Sequence, residues 1–408
     1  MHHLRPVAVT LVALLLLVLA PVTAAEAEPL PLPEDDPFFA APADLAGYDA
    51  GELIRARPVQ VKAFELPVPA DAWQVLFRTS DRRDRPTVSV TTVIVPRSVW
   101  RASGRRPLVS YQTAEDGVST RCAPSYALTA GLAGGFTGSY AESSFVVSLL
   151  LKGWAVSVPD YEGMESQFLV ADVAAKGVLD GLRAAQQLAD AGLTGSPVAM
   201  WGYSGGAFAT ANAAQLQASY APELDVRGVA LGGLLGDVRA TIDAFSGSLV
   251  GGAIPMGVHG LDRSYDLDLR SYLNDFGKRE YDASGALCVF EAVPRRPFLS
   301  VADIEAFPNA LGSPEIRAML TENSPVSRPG APTAPVYEYH ATLDQMAPIG
   351  PARATVRNYC RAGVPVEYRE NLLAEHLTQM ALGAPGALGF LDRMLRGQAP
   401  VDRCAVIP

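Results

Sequence analysis

Apolar and polar residues alternate along this chain in a pattern that predicts strands first, and then a regular succession of helices and strands. Apolar runs between turn residues predict strands that begin near Trp73, Thr87 and Pro107. Beyond them, helical spacing in "SSFVVSLLLKG", "FLVADVAAKGVLDGLRAAQQLADAG" and "GGAFATANAAQLQASY" alternates with the strand-like runs "WAVSVPD", "PVAMW" and "VRGVALGGL". This pattern is typical of an α/β fold with a mostly parallel central sheet, helices on both faces and antiparallel strands at its start.

The alternation stops near Gly236 and resumes after Pro332. Residues 236–332 contain helical pieces such as "SYDLDLRSYLNDFG" and glycine-rich apolar pieces, without alternating strands. The strand "APVYEYHA", the helix "PARATVRNYCRAG", the strand "VPVEYREN" and a last helix near "GALGFLDRMLRG" then follow. We interpret residues 236–332 as a helical cap inserted between two parts of one core, 28–235 and 333–408. The alternative is a helical subdomain with no part in binding.

The first 70 residues differ in composition from the rest of the chain. Residues 1–27 carry a short basic start, an apolar run from Val7 to about Ala20, and small residues before position 28, which is the pattern of a signal peptide. The alternative, a membrane anchor, needs about 20 apolar residues, and this run is shorter. Residues 28–70 are rich in proline and acidic residues and predict an extended arm over the body. We therefore expect a secreted, extracellular protein without an integral membrane span in its mature form.

Charge and cysteine content narrow the possible partners and the compartment. The net charge is −10, and loss of residues 1–27 leaves it unchanged because that segment holds one arginine and one glutamate. An acidic protein is disfavoured as a nucleic-acid binder. An even number of cysteines in an exported chain predicts two disulfides, with three pairings open and free buried thiols as the alternative. The four cysteines are Cys122, Cys288, Cys360 and Cys404.

A glycine-rich turn around Ser204 indicates nucleophilic catalysis. The sequence "GYSGG" follows the predicted strand "PVAMW" and precedes an alanine-rich helical run. A G-x-S-x-G turn between strand and helix presents the serine on strained backbone, and its glycines remove side chains that would collide across the turn. The start of the helix also directs backbone N–H groups, including that of Gly205, at developing negative charge. The alternative is a tight turn with a bystander serine.

A serine nucleophile needs a base, and the mature chain has three histidines. In this architecture the triad follows the chain order serine, acid, histidine. His376, expected in a loop after the penultimate strand, fits that order, whereas His259 lies in the predicted cap. We interpret His340, at the end of a strand, as a structural histidine held by local hydrogen bonds.

Asp344, in the loop "HATLDQMAP" after a strand, fits the position of the acid. Asp160 also ends a strand, but it precedes the serine and breaks the order. The second oxyanion donor comes from the loop after the third strand in this architecture, which points to Asp116 or Gly117. No histidine and cysteine cluster has the spacing of metal ligands, so we expect no metal and no cofactor.

Several motifs together resemble the secretory lipase family of the α/β-hydrolase superfamily. They are "YQTAED", "CAPSY", "DYEG", "GYSGGA", "SYAPEL", "HATLD" and "AEHLT", in that order along the chain. The resemblance implies an α/β-hydrolase fold with a helical cap and a flap. It also implies Ser204 as nucleophile, Asp344 as acid, His376 as base, and Asp116 with Gly205 as the oxyanion hole. It further implies the disulfide pairs Cys122 with Cys288 and Cys360 with Cys404.

By that resemblance we expect a secreted ester hydrolase, a triacylglycerol lipase, whose lipid or ester substrate is met at a lipid–water interface. The alternatives are an esterase for short soluble esters or an acyltransferase with the same triad. The residues around "GSLVGGAIPMGVHG" follow the family only loosely, so the class of ester is less well defined than the chemistry. A noncatalytic binding protein of the same fold predicts a broken triad, whereas all three members are present here.

Overall fold

The computed structural model describes residues 30–408, and Leu32–Pro408 form one compact unit. The predicted signal peptide lies outside the described residues. Eleven strands are assigned in the described part: β1 Leu53–Pro58, β2 Lys62–Ala63, β3 Leu66–Pro67, β4 Ala70–Ser80, β5 Pro86–Pro96, β6 Leu108–Gln112, β7 Ala155–Pro159, β8 Val198–Tyr203, β9 Val226–Gly232, β10 Val336–Ala341 and β11 Val366–Asn371.

Nine of these strands form one sheet in the order β1-β4-β5-β7-β6-β8-β9-β10-β11. The strands β7, β6, β8, β9, β10 and β11 are parallel, and β1, β4 and β5 join the sheet by antiparallel pairing. Every residue of β6, β7, β8 and β10 is buried. Such strands are buried along their whole length because helices cover both faces of the sheet. The predicted α/β-hydrolase architecture is therefore confirmed.

Helices cover the sheet on both sides and fill the segment between β9 and β10. The α-helices are Pro124–Ala130, Gly138–Ala141, Ser143–Leu151, Ala171–Gln187, Gly205–Tyr220, Val238–Phe245, Ile254–Asp262, Asp275–Ser284, Val289–Ala292, Val301–Ile304, Pro314–Glu322, Ile349–Arg361 and His376–Leu395. One core cluster packs Ala171–Gln187 and Gly205–Tyr220 against the sheet. A second cluster packs Ser143–Leu151 and the carboxyl-terminal half of His376–Leu395 against the opposite face. Residues 236–332 form helices and turns without a named strand, and they take part in two isolated bridges, Leu273 with Glu305 and Cys288 with Gly117.

Two parts of the chain differ from the sequence-based expectation. The predicted arm over residues 28–70 is extended only in part, because 3-10 turns at Pro33–Asp35, Pro37–Phe39 and Leu45–Gly47 interrupt it. It also joins the body of the fold through β1, an edge strand paired with β4, and it contains the short β2–β3 pair. The burial of β1 is mixed and its sequence carries two arginines, so its apolar pattern is weak. The last helix begins at His376, ten residues before the apolar pattern suggests, because Glu375 accepts the N–H groups of Leu377 and Thr378 and caps it.

Two disulfides join distant parts of the fold. Cys122 pairs with Cys288, and Cys360 pairs with Cys404, the pairs that the family resemblance implies. The first connects the loop after β6 to the helical segment between β9 and β10. The second connects the helix Ile349–Arg361 to the carboxyl-terminal tail.

Candidate active site

Ser204 lies at the sharp turn between β8 and the helix Gly205–Tyr220. Its backbone angles, φ +56° and ψ −122°, fall in a region that side chains rarely adopt. A side chain on Gly202 would collide with the carbonyl oxygen of Gly206, and one on Gly206 would collide with that of Gln112. Both glycines are therefore required for the turn, which has the form of a nucleophile elbow.

His376 lies beside Ser204. Its Nε2 is 2.8 Å from Ser204 Oγ. The expectation of a loop position after the penultimate strand is wrong, because His376 follows β11, the last strand, and is the first residue of the last helix. Capping by Glu375 extends that helix to the histidine. The placement attaches the imidazole to a rigid element that packs on the sheet.

Asp344 orients the imidazole from the other side. Its Oδ2 is 2.7 Å from His376 Nδ1, and its Oδ1 accepts the backbone N–H groups of Met346 at 2.9 Å and Ala347 at 2.6 Å. Burial alone raises the pKa of Asp344, but the hydrogen bond and charge of His376, with the nearby His340, hold this pKa below its ordinary value. The carboxylate is thus ionised at neutral pH, with each oxygen hydrogen-bonded.

Two residues that the sequence did not single out hold the main chain of His376. Tyr203 donates its hydroxyl to the carbonyl oxygen of His376 at 2.6 Å. Gln345 accepts the N–H of His376 at 3.3 Å and donates to Glu375 at 3.2 Å. Each is the chain neighbour of a triad candidate, Ser204 or Asp344, and this adjacency is the signal that could have found them.

Asp116 and Gly205 lie next to each other at the site. A side chain on Gly205 would collide with Asp116 Oδ1, and Asp116 holds a positive φ of +34°. The N–H of Gly117, the other candidate donor, instead points to Glu162 Oε2 at 3.3 Å. Gly205 begins its helix, so its N–H lacks an intrahelical acceptor. Of the two candidates, Asp116 is therefore the one whose side chain adjoins Gly205, and its role as second donor stays a prediction.

Buried carboxyl groups lie in and around the loop after β6, which we call the oxyanion loop because it carries the candidate donor Asp116. Burial raises the pKa of Asp116 to about 7. Burial and mutual repulsion raise the pKa values of Glu115 and Glu162 well above the ordinary range. Glu142 accepts the N–H of Ala114 at 2.8 Å, and burial raises the pKa of this glutamate to about 8. These carboxyl groups are therefore neutral or share protons near neutral pH.

A mostly apolar cavity of about 290 Å³ opens above Ser204. The helical segment between β9 and β10 supplies part of its wall through Val250, Val289, Phe290, Val293 and Pro294. The core supplies Ser204, His376, Asp116, Leu377 and Met380, among others. The helical segment therefore lines the site rather than lying apart from it.

Each of the rival residues has partners other than Ser204. Asp160 accepts the N–H and hydroxyl of Ser125 at 2.8 and 2.5 Å and so fixes the start of the helix Pro124–Ala130. The ring of His259 stacks on Tyr281 with 4.3 Å between centroids. His340 lies 2.8 Å from Glu338 and 2.8 Å from the carbonyl oxygen of Ala347. These contacts agree with the interpretation of His340 as a histidine held by local hydrogen bonds.

Within residues 30–408, no group of three or more histidine, cysteine or acidic side chains has the arrangement of a metal site. Across the same part of the chain, none of the helices combines the length and apolar character that a bilayer span requires.

Comparison with known proteins assigns the family. Residues 132–403 match the family described as secretory lipase. The chain belongs to the secretory lipase family. Lipase 4 of Candida albicans is 34% identical over 408 residues, which cover 96% of this chain and 87% of that protein. The structure of Candida antarctica lipase A in its closed state superposes with a TM-score of 0.83 at 28% identity, covering 93% of this chain and 90% of that one.

One similar protein bears on activity. A protein of Mycobacterium tuberculosis named a probable inactive lipase is 34% identical over 379 residues, covering 91% of this chain and 84% of that protein. Similarity to a secretory lipase is therefore not enough to assign activity. The decision for this member rests on its own side chains, and here Ser204, His376 and Asp344 form an unbroken chain of hydrogen bonds.

Proposed function

We propose that this chain is a secreted, serine-dependent carboxylic ester hydrolase, and specifically a triacylglycerol lipase. The observation that carries the proposal is the hydrogen-bonded series Asp344, His376 and Ser204 at the base of an apolar cavity. The series has the geometry that activates a serine hydroxyl. Membership of the secretory lipase family supports an ester as the substrate.

Acylation begins when Ser204 Oγ attacks the ester carbonyl carbon and His376 Nε2 takes the hydroxyl proton. Asp344 stabilises the imidazolium that forms. The backbone N–H groups of Gly205 and Asp116 stabilise the negative oxygen of the tetrahedral intermediate. The intermediate collapses as His376 returns the proton to the departing alcohol oxygen, which leaves the acyl group bonded to Ser204.

Deacylation repeats these steps with water. His376 takes a proton from the attacking water, and the same N–H groups hold the second tetrahedral intermediate. Collapse releases the carboxylic acid, and the proton returns to Ser204 Oγ. No bound group beyond the protein is needed to balance the reaction.

The surroundings of the cavity support a long acyl ester at a lipid surface. Several exposed apolar side chains line the cavity, pack on its lining, or stand within three residues of Asp344 or His376 in the chain. We call them the apolar rim: Phe136, Phe290, Leu343, Leu373 and Leu377. Phe290 and Leu377 also line the cavity, and Phe136 packs edge-on against Phe290 with 5.2 Å between ring centroids. Exposed apolar patches of this kind mark sites of contact with apolar partners.

Export is part of the proposal and rests on separate observations. The first 27 residues have the pattern of a signal peptide. All four cysteines of the described chain are paired, which fits an oxidising compartment.

The test is hydrolysis by the purified chain 28–408 of p-nitrophenyl esters of increasing acyl length and of an emulsified triacylglycerol. Ser204→Ala is the test variant. Ser219→Ala, on the same helix and exposed, is the matched control. We expect strong turnover of the emulsion by the unaltered chain and by Ser219→Ala, with nearly complete loss in Ser204→Ala.

Activity confined to short soluble esters would keep the serine mechanism and reject the lipase assignment. Transfer of the acyl group to an added alcohol in preference to water would favour the acyltransferase. Full activity of a folded Ser204→Ala variant would contradict the mechanism.

A further inference from the structure

A buried glutamate and a buried histidine lie directly behind Asp344. Glu338 and His340 are two residues apart on β10, so their side chains lie on the same face of the sheet. Both side chains are fully buried, and Glu338 Oε1 is 2.8 Å from His340 Nδ1. The mechanism described above uses neither of them.

His340 contacts the loop that carries Asp344. Its Nε2 is 2.8 Å from the carbonyl oxygen of Ala347 and 3.5 Å from Asp344 Oδ2. Because a carbonyl oxygen only accepts hydrogen bonds, Nε2 carries a proton and donates it. Ala347 in turn donates its N–H to Asp344 Oδ1. His340 therefore donates to the carbonyl oxygen of Ala347, and the N–H of the same Ala347 donates to Asp344. Ala347 thus connects His340 to Asp344.

With Nε2 protonated, the contact with Glu338 has two possible forms. Either His340 is an imidazolium paired with a carboxylate, or it is neutral and its Nδ1 accepts a hydrogen bond from the glutamic acid. The first form places a positive charge beside Asp344. Burial alone lowers the pKa of His340, but the hydrogen bond and charge of Glu338 and the charge of Asp344 raise this pKa above its ordinary value. Burial also raises the pKa of Glu338, which favours the glutamic acid, but the Asp344 carboxylate, with Oδ2 at 3.5 Å from His340 Nε2, favours the imidazolium.

The neighbouring elements agree with that assignment. The parallel register places Glu370 of β11 beside His340 and Tyr368 beside Glu338. Glu370 is itself paired with Arg353 at 2.7 and 2.8 Å and with the Tyr368 hydroxyl at 2.6 Å. On the other side, β9 places the apolar Leu231 beside Glu338. Two carboxylates face His340 from outside its own strand, Glu370 and Asp344. Glu370 is paired with an arginine, and Asp344 is not.

Burial of an ionic pair inside a strand lowers the stability of the fold, because both groups lose their hydration. Oε2 of Glu338 is buried and has no hydrogen-bond partner within the described residues, and such an atom destabilises the fold. Apolar residues in place of a buried ionic pair are often neutral or stabilising. The pair therefore points to a role other than stability.

We propose that His340, charged through its pairing with Glu338, is a positioning residue that keeps Asp344 ionised and holds its loop in the geometry that orients His376. This inference rests on the proposed function, because it assigns a role in the same triad. The competing explanation is a purely structural hydrogen bond that closes the end of β10.

The test uses the chain 28–408 with Glu338→Gln and His340→Gln. Glutamine at 338 keeps the shape and removes the acid, and glutamine at 340 keeps an N–H donor and removes the charge. The measurement is kcat and KM on a soluble p-nitrophenyl ester as a function of pH. We expect kcat to fall about tenfold with KM unchanged.

The pH dependence of kcat/KM distinguishes a positioning role of His340 from a purely structural one. Without the positive charge, Asp344 and His376 bind protons more readily, so the acid limb of kcat/KM should move upward by about half a pH unit or more. Tyr368→Phe, which removes a buried hydroxyl on the neighbouring strand, is the matched control and should keep the profile of the unaltered chain. An unmoved acid limb in folded variants overturns the proposal, even if kcat falls.

A measurement on the unaltered chain covers the case in which the variants do not fold. In a ¹⁵N-histidine NMR titration, both ring nitrogens of His340 should be protonated at pH 7, and an unprotonated ring nitrogen there overturns the proposal. Ser204→Ala keeps the two proposals apart. If that variant is inactive while Glu338→Gln and His340→Gln behave like the unaltered chain, this inference alone fails. If it is fully active, the proposed function fails.

Discussion

Val289 donates its backbone N–H to the carbonyl oxygen of Asp116 at 2.9 Å. The neighbouring residues Gly117 and Cys288 form an antiparallel bridge, and Val118 donates to the carbonyl of Leu287. This short ladder, together with the Cys122–Cys288 disulfide, attaches the helical segment between β9 and β10 to the loop that carries the candidate oxyanion donor. A displacement of that segment therefore acts directly on the position of the Asp116 N–H.

Removal of the first disulfide should therefore change both stability and activity. The Cys122→Ala/Cys288→Ala variant opens a loop with a sequence separation of 166 residues, and we expect a loss of about 2–4 kcal/mol in the free energy of unfolding. We also expect a lower kcat, because the oxyanion loop loses one of its attachments. Melting temperature and kcat are the measurements.

The second disulfide offers the matched control. Cys360→Ala/Cys404→Ala opens a separation of 44 residues far along the chain from Asp116. This variant should melt at a lower temperature with kcat unchanged. Equal kcat values for the two double variants would contradict the coupling.

The hydrogen bond between Asp344 and His376 predicts a large effect of an isosteric substitution. Asp344→Asn keeps the size of the side chain but no longer fixes the proton on His376 Nδ1, so we expect kcat to fall by about 10⁴-fold. Asp160→Asn, at the rival acid, should lower stability through the loss of its bonds to Ser125 while kcat changes much less. A loss below tenfold in Asp344→Asn would remove this residue from the mechanism.

Much of this site follows from local sequence. The strand β8 reads as a buried apolar run, and the glycines around Ser204 leave few alternatives to a strand-to-helix turn. The chain order serine, acid, histidine then selects Asp344 and His376, and the structure brings these side chains together. The turn follows from steric constraints between near neighbours, and the choice of acid and base follows from the chain order of the fold. Both can be read from a single sequence.

Other features depend on contacts between distant segments. The edge strand β1 is recognisable only through its pairing with β4, because its own burial is mixed. The last helix contains Gly383 and Pro385, which weaken its helical pattern, and the Glu375 cap sets its start. The contact between Val289 and Asp116 joins residues 173 positions apart, and no local pattern encodes it.

The raised pKa of Asp116 predicts a loss of activity on the alkaline side. Below about pH 7 its buried carboxyl is neutral, and above that pH a negative charge develops beside the Gly205 N–H where the oxyanion forms. The kcat/KM of the unaltered chain should therefore fall as pH rises through about 7. Asp116→Asn keeps the backbone donor and cannot ionise, so its plateau should extend to higher pH. An identical alkaline limb in both proteins would contradict this assignment.

The carboxyl group of Asp116 also makes the free energy of unfolding depend on pH. In the unfolded chain Asp116 ionises near 3.8, whereas in the folded chain it ionises near 7. The folded state therefore binds more protons between these values. The stability that neutral Asp116 contributes is complete below the lower value and is lost as pH rises through about 7. Denaturant unfolding of the unaltered chain and of Asp116→Asn over this range measures the difference.

The apolar rim predicts a selective loss of activity on emulsions. Phe136 and Leu373 are exposed, by 52% and 92%, and neither lines the cavity above Ser204. Phe136→Ser/Leu373→Ser should therefore leave turnover of a soluble p-nitrophenyl ester unchanged while it lowers turnover of an emulsified triacylglycerol about tenfold or more, because fewer apolar groups contact the lipid.

Leu151→Ser is the control for this prediction. Leu151 is 82% exposed and precedes β7, so it lies at the amino-terminal edge of the parallel strands, whereas Ser204 follows β8 at their carboxyl edge. Loss of a largely exposed apolar group there should leave both activities unchanged. If the rim variant and the control lower emulsion turnover equally, general surface hydrophobicity would account for the effect. If neither variant changes it, lipid contact would have to be made by another face of the protein.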